Sequence, residues 1–210
     1  MLALTDTQKN LLKQIAELEF VTREQISAYC NLNLSVISSR YIQPLIQNKC
    51  IEKIFPNKPL IYKVTWRGSK ISKTPLNRRN ITANIIHSIL LRNKVLLKLK
   101  QNSNSSIVPT QSLKQMGYRL AANEFVLTQD HKNILLIIDT GSLPENKVVT
   151  SLKRRHAPSN NMWVGLIDAV WIVSVDEEYI HKVKQVVESL LQLDIYKSLD
   201  FKLLVTESVL

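Results

Sequence analysis

Ile134-Leu135-Leu136-Ile137-Ile138 is an unbroken run of branched apolar residues. An extended chain of this kind can leave neither side in water, so the run demands a strand covered on both faces. Gln129-Asp130-His131-Lys132-Asn133 reads as a turn before it, and Asp139-Thr140-Gly141-Ser142 ends it. A covered strand needs neighbours. Asn123-Glu124-Phe125-Val126-Leu127-Thr128 supplies one across the turn, and Ala169-Val170-Trp171-Ile172-Val173-Ser174-Val175 supplies a second buried strand. Phe201-Lys202-Leu203-Leu204-Val205-Thr206 closes the sheet, and the short apolar run Ile107-Val108-Pro109 precedes it. Helical patterns cover 145–155 and 177–191, the latter with Ile180, Val183, Val186, Val187 and Leu190 on one side. A longer helix is expected from Thr82 to Lys100, with Ile85, Ile86, Ile89, Leu90, Val95, Leu96 and Leu99 as its apolar face. The order after residue 80 is α, β, β, β, α, β, α, β, which is an α/β domain.

The first third has a different rhythm. Thr5-Asp6-Thr7 can cap a helix whose buried stripe is Leu11, Leu12, Ile15 and Leu18. Thr22 can cap a second helix over 23–29, and Asn31-Leu32-Asn33 is a turn signal. A third helix is expected from about Ser35 to Asn48, with Ile37, Tyr41 and Leu45 on its apolar face. Pro44 removes a backbone donor from that helix and is expected to kink it. The opposite face carries Ser35, Ser38, Ser39, Arg40 and Gln43, groups able to hydrogen-bond base edges in a DNA groove. Two strands follow, 50–55 and 60–65, around Pro56-Asn57-Lys58-Pro59, a turn that puts the Lys58 charge at its tip. Residues 67–79 then read as a basic linker. The expected organisation is a DNA-binding domain over 1–70, a linker over 71–80 and an α/β domain over 81–210.

Charge agrees with a phosphate-rich partner: 28 Lys and Arg stand against 17 Asp and Glu, a net +11. Hydrophobic residues make up 45% of the chain, enough for a packed core. Cys30 and Cys50 lack metal-ligand spacing and read as buried thiols of a reducing cytoplasm. No apolar run reaches membrane-spanning length and no secretory signal precedes the first helix. His87 reads as structural, Trp171 as core, and neither Tyr118 nor Tyr179 has a His cluster beside it.

Val21-Thr22-Arg23-Glu24-Gln25-Ile26, Ser38-Ser39-Arg40-Tyr41-Ile42-Gln43-Pro44-Leu45 and Ile61-Tyr62-Lys63-Val64-Thr65-Trp66-Arg67-Gly68 resemble the winged helix-turn-helix superfamily. That resemblance implies a groove-facing helix bearing Ser38, Ser39, Arg40 and Gln43, with Lys58 against a phosphate. The element order after residue 80 is also that of the restriction-endonuclease-like core. Asn123-Glu124-Phe125-Val126-Leu127 and Leu136-Ile137-Ile138-Asp139-Thr140-Gly141, taken with Lys153, resemble the replication-relaxation family, which includes MobC-type relaxases of mobilisable plasmids and integrative elements. The resemblance implies Glu124 and Asp139 as ligands of a magnesium or manganese ion, with Lys153 as the catalytic cation. It departs at Glu124, where the family has Asp, at Ile137, often Glu, and in lacking a third-strand Lys.

The expected function is a cytoplasmic protein of plasmid mobilisation or replication that binds double-stranded DNA at an origin-like site, as a metal-dependent nickase. Other transfer proteins of the relaxosome and a second copy of the chain are the further partners implied. Two other readings stay open: a winged-helix transcriptional regulator whose C-terminal domain is catalytically degenerate and dimerises or senses a ligand, and an adaptor that binds protein alone. Asp139-Thr140-Gly141 also reads as a plain strand-ending turn, and Glu124 as a solvated edge residue.

Overall fold

Capping chemistry sets the first elements. Helix α1 spans Asp6–Leu18, and the Thr5 side chain accepts the Gln8 N–H while Gln8 Oε1 accepts the Thr5 N–H. This reciprocal pair satisfies two donors that the first turn leaves orphaned, worth about 1 kcal/mol. Thr22 and Gln25 repeat the arrangement at α2, Arg23–Cys30. Asn31 ends α2 in the left-handed region, φ 51°, a conformation Asn tolerates. The expected stripe of α1 is the observed one: Leu11, Leu12, Ile15 and Leu18 are all buried.

The computed structural model describes residues 4–55, 60–74, 76, 82–100, 105–116, 118, 120, 121, 123–141, 143, 144, 146, 148, 167–191 and 200–205. It divides into two compact units, Met1–Gln101 and Asn102–Leu210. The described residues form a mixed α/β protein with one three-stranded and one five-stranded sheet.

In the first unit the expected third helix is three segments in one rod: α3 Leu34–Val36, a π-helical stretch Ile37–Ile42, and α4 Gln43–Gln47. Pro44 explains the π stretch. It lacks an N–H and its ring crowds the carbonyl four residues back, that of Arg40. Widening the helix there frees the Arg40 carbonyl, which accepts from Gln8 Nε2 at 3.1 Å. The wider turn also shifts the buried register. Ile37, Ile42 and Leu45 are buried, and Tyr41, expected among them, is only half-buried.

Strands β1 Phe20–Thr22, β2 Ile51–Phe55 and β3 Ile61–Val64 form an antiparallel sheet in the order β1-β3-β2. The hairpin is as expected; β1 was not visible in the pattern. The expected linker is a helix at its start, α5 Trp66–Ser72, capped by the Thr65 hydroxyl, which accepts the Gly68 N–H at 3.2 Å. Gly68 lies against Cys50, where a Cβ would stand 2.1 Å from the carbonyl oxygen. Only glycine permits that approach.

Helix α6, Ala83–Lys100, belongs to the first unit, although the sequence pattern opens the second domain with it. Buried polar groups hold it there. Arg92 bonds Glu19 Oε1 at 3.0 Å and the Leu18 carbonyl at 2.6 Å, and Asn93 bonds the Phe20 carbonyl at 2.7 Å. Gln25 Nε2 reaches the Leu90 carbonyl at 2.8 Å.

The second unit carries β4 Ser105–Ile107, a short helix α7 Thr110–Gln115, β5 Glu124–Gln129, β6 Lys132–Ile138, β7 Ala169–Ser174, α8 Glu177–Leu191 and β8 Asp200–Val205. Sheet order follows chain order. The first three strands form an antiparallel meander, and β6, β7 and β8 run parallel. Residues 134–138 are buried throughout at the centre, as the apolar run demands. One face of the sheet, with Val126, Leu135, Ile137, Val170 and Ile172, packs on Tyr179, Ile180, Val183 and Val187 of α8. Full burial of each such aliphatic side chain is worth about 1.5–3 kcal/mol. Among the described residues, no helix is long and apolar enough to cross a membrane.

Candidate functional site

The expected site residues that are described fall in two places. On the rod 34–47, burial of Ile37, Ile42 and Leu45 turns Ser35, Ser39, Arg40 and Gln43 to solvent, with Ser38 half-buried. The two serines are less free than their types suggest. Ser38 Oγ donates to the Leu34 carbonyl at 2.8 Å, and Ser39 Oγ to the Ser35 carbonyl at 2.9 Å. Each hydroxyl therefore offers outward only its acceptor lone pairs. Lys58 lies outside the described residues.

The second place is the carboxylate pair. Glu124 faces Ile137 across the β5–β6 ladder, and Asp139 follows two residues after Ile137. Side chains two apart share a face, so the two carboxylates are diagonal neighbours on one face of the sheet. Both are buried, Glu124 to 2% and Asp139 to 1% exposure, which excludes the reading of Glu124 as a solvated edge residue. Glu124 Oε2 accepts the Ala121 N–H at 2.7 Å.

Asp139 is more heavily engaged. Its Oδ1 accepts the N–H groups of Gly141 and Leu143, each at 3.0 Å, while Oδ2 accepts the Ser174 hydroxyl at 2.7 Å. Gly141 adopts φ 88°, which closes the turn. Ser174 in turn accepts the Asp176 N–H at 3.0 Å, and Asp176 Oδ1 caps α8 by accepting the Glu178 N–H at 2.9 Å. The strand-ending turn and the start of α8 are thus joined through one buried hydroxyl. Sequence reasoning missed Ser174. The signal was there: a lone hydroxyl closing an otherwise apolar strand, two residues before a helix-capping Asp.

Magnesium and manganese want several oxygen ligands with their lone pairs turned inward. Around Asp139, two of the three described donors converge on Oδ1 and the Ser174 hydroxyl takes one lone pair of Oδ2, so a cation on Oδ2 would share that oxygen with the hydroxyl. Among the described residues, no cluster of three or more His, Cys, Asp or Glu side chains gathers at one point. Lys153, expected as the catalytic cation, lies outside the described residues, as do Lys147, Arg154, Arg155, His156 and Trp163. His87 is exposed on α6. Trp171 is buried in β7 with Lys202 Nζ 4.9 Å from its ring centroid, a core position as expected.

Compared with known proteins, the chain matches no family model, no curated protein and no solved structure.

Proposed function

We propose that this chain is a double-stranded-DNA-binding protein of plasmid or mobile-element mobilisation, built from a winged helix and a nuclease-like α/β unit. One observation carries the reading. The rod 34–47 buries its apolar side and turns Ser39, Arg40 and Gln43 outward, immediately before the β2–β3 hairpin. A helix of that width enters the major groove, where an Arg can bind guanine O6 and N7 in bidentate fashion. The net charge of +11 supports the same partner. The setting in a mobile element is supported by the resemblance over 123–127 and 136–141.

Fluorescence anisotropy on duplexes at several salt concentrations tests it. Arg40→Ala should lose up to ~1–3 kcal/mol of base discrimination, and wild-type affinity should fall steeply with salt. Salt-independent binding, or an unchanged sequence preference in Arg40→Ala, would contradict the proposal.

A specific observation favours a second reading of the C-terminal unit. Both oxygens of Asp139 already hold N–H or O–H donors. In this reading the unit is a non-catalytic dimerisation or sensing module of a regulator. Incubating supercoiled origin plasmid with magnesium or manganese separates the two: the relaxase reading expects nicked circles that vanish in Asp139→Asn, the regulator reading none.

A further inference from the structure

The expected groove-facing surface leaves one conspicuous side chain unused. Trp66 opens α5 and is 64% exposed, the most exposed of the large apolar residues described. Its orientation is forced from behind. Gly68 is clamped on the Cys50 carbonyl, so the face of α5 carrying Gly68 and Ser72 must point inward. Trp66, two positions before Gly68, lies about 200° round the helix and must point outward. Lys70, one turn on, holds its Nζ 4.9 Å from the indole centroid, and Lys73 is also exposed.

The charge on the same helix narrows the choice of partner. Helix α5 and its C-cap carry Arg67, Lys70 and Lys73, with Lys70 and Lys73 exposed, and no Asp or Glu. The patch suits an anionic ligand that also offers a flat apolar face. Single-stranded nucleic acid combines the two, with unpaired bases that stack on aromatic rings and a phosphate backbone that pairs with lysines. A base inside a duplex is already stacked on its neighbours and offers the indole no face.

We infer that α5 is a contact for single-stranded DNA, in which Trp66 stacks on one unpaired base and Lys70 pairs with an adjacent phosphate. The inference rests on the DNA-binding reading only in taking DNA as the ligand, and it assigns a contact that the groove-facing helix does not make. Lys70 leaves the ring face when the base arrives and exchanges its cation–π contact for a phosphate oxygen.

The test uses the full chain with labelled oligothymidylate of about 20 nucleotides and with a duplex of the same length. Trp66→Ala should weaken oligothymidylate binding by roughly tenfold or more, since one stacked base is worth ~1–3 kcal/mol. Its duplex affinity should stay within about twofold, and its thermal melt should shift by no more than a few degrees, because most of the ring is exposed to solvent. Lys70→Gln should lower the salt slope by about one. Arg40→Ala should do the reverse of Trp66→Ala, weakening duplex and sparing single strand. Unchanged oligothymidylate affinity in Trp66→Ala overturns the inference and leaves an acidic peptide as the better ligand. Equal losses on both DNAs overturn it too. Failure of duplex binding alone, with Trp66-dependent single-strand binding intact, sinks the groove-reading proposal and not this one.

Discussion

Replacing Asp139 separates its two candidate roles, loop organiser and cation ligand. The side chain is 1% exposed and accepts three described hydrogen bonds, from the Gly141 and Leu143 N–H groups and from the Ser174 hydroxyl. In Asp139→Ala all three donors lose this acceptor. Gly141 is exposed and Leu143 half-buried, so water can reach their N–H groups, and each loss costs about 1 kcal/mol. Ser174 is wholly buried, and leaving its hydroxyl short of a charged acceptor costs about 1.5–3 kcal/mol. The sum is roughly 3–5 kcal/mol, which in a unit of this size lowers the melting temperature by at least ~10 °C. Asp139→Asn keeps an amide oxygen for the two N–H donors and lets the Ser174 hydroxyl turn to accept from the amide, so its cost should be near 1 kcal/mol. Differential scanning calorimetry of the three proteins, with and without magnesium, reads the difference. Asp139→Ala melting within about 2 °C of wild type would refute the organising role. A magnesium-induced rise in wild type that disappears in Asp139→Asn would restore the cation site by mass action.

Gly68→Ala should destabilise the first unit by ~2–4 kcal/mol: the methyl would stand 2.1 Å from the Cys50 oxygen, and separating them breaks the Thr65–Cys50 backbone bond of 3.0 Å. Helix propensity alone predicts a gain of about 1 kcal/mol, so a stabilised variant in a urea melt would show that the clamp is absent. Glu19→Gln should cost ~2–3 kcal/mol by thermal melt, below the usual penalty for stranding a buried charge, because Arg92 keeps the Leu18 carbonyl and Asn93 Oδ1 as acceptors. Burial pushes the Cys50 thiol pKa up, only partly offset by the Arg67 guanidinium, whereas Cys30 is half-buried. Native alkylation read by mass spectrometry should therefore modify Cys30 first and reach Cys50 only on unfolding; equal rates would argue against the packing described for Cys50.

What was legible in the sequence is what local chemistry decides. Thr5 and Thr22 cap helices through partners three residues away, the α1 stripe follows from helical period, and 134–138 had to be a central strand because neither of its faces tolerates water. The carboxylate pair was legible to the extent of its place: strand pairing puts Glu124 and Asp139 on one face. Tertiary structure decided the rest. Pro44 forces the π-helical stretch before it, but the donor for the freed Arg40 carbonyl comes from Gln8 on a different helix. The helix at the start of the expected linker depends on Gly68 meeting the Cys50 backbone. Helix α6 joins the first unit through Arg92 and Asn93, polar residues that a search for an apolar face passes over. Asp139 owes one of its three described hydrogen bonds to Ser174, brought beside it by the parallel pairing of β6 and β7. A single chain position states its own preference for helix, strand or turn, but an acceptor or a clash supplied by a distant segment exists only once that segment has packed.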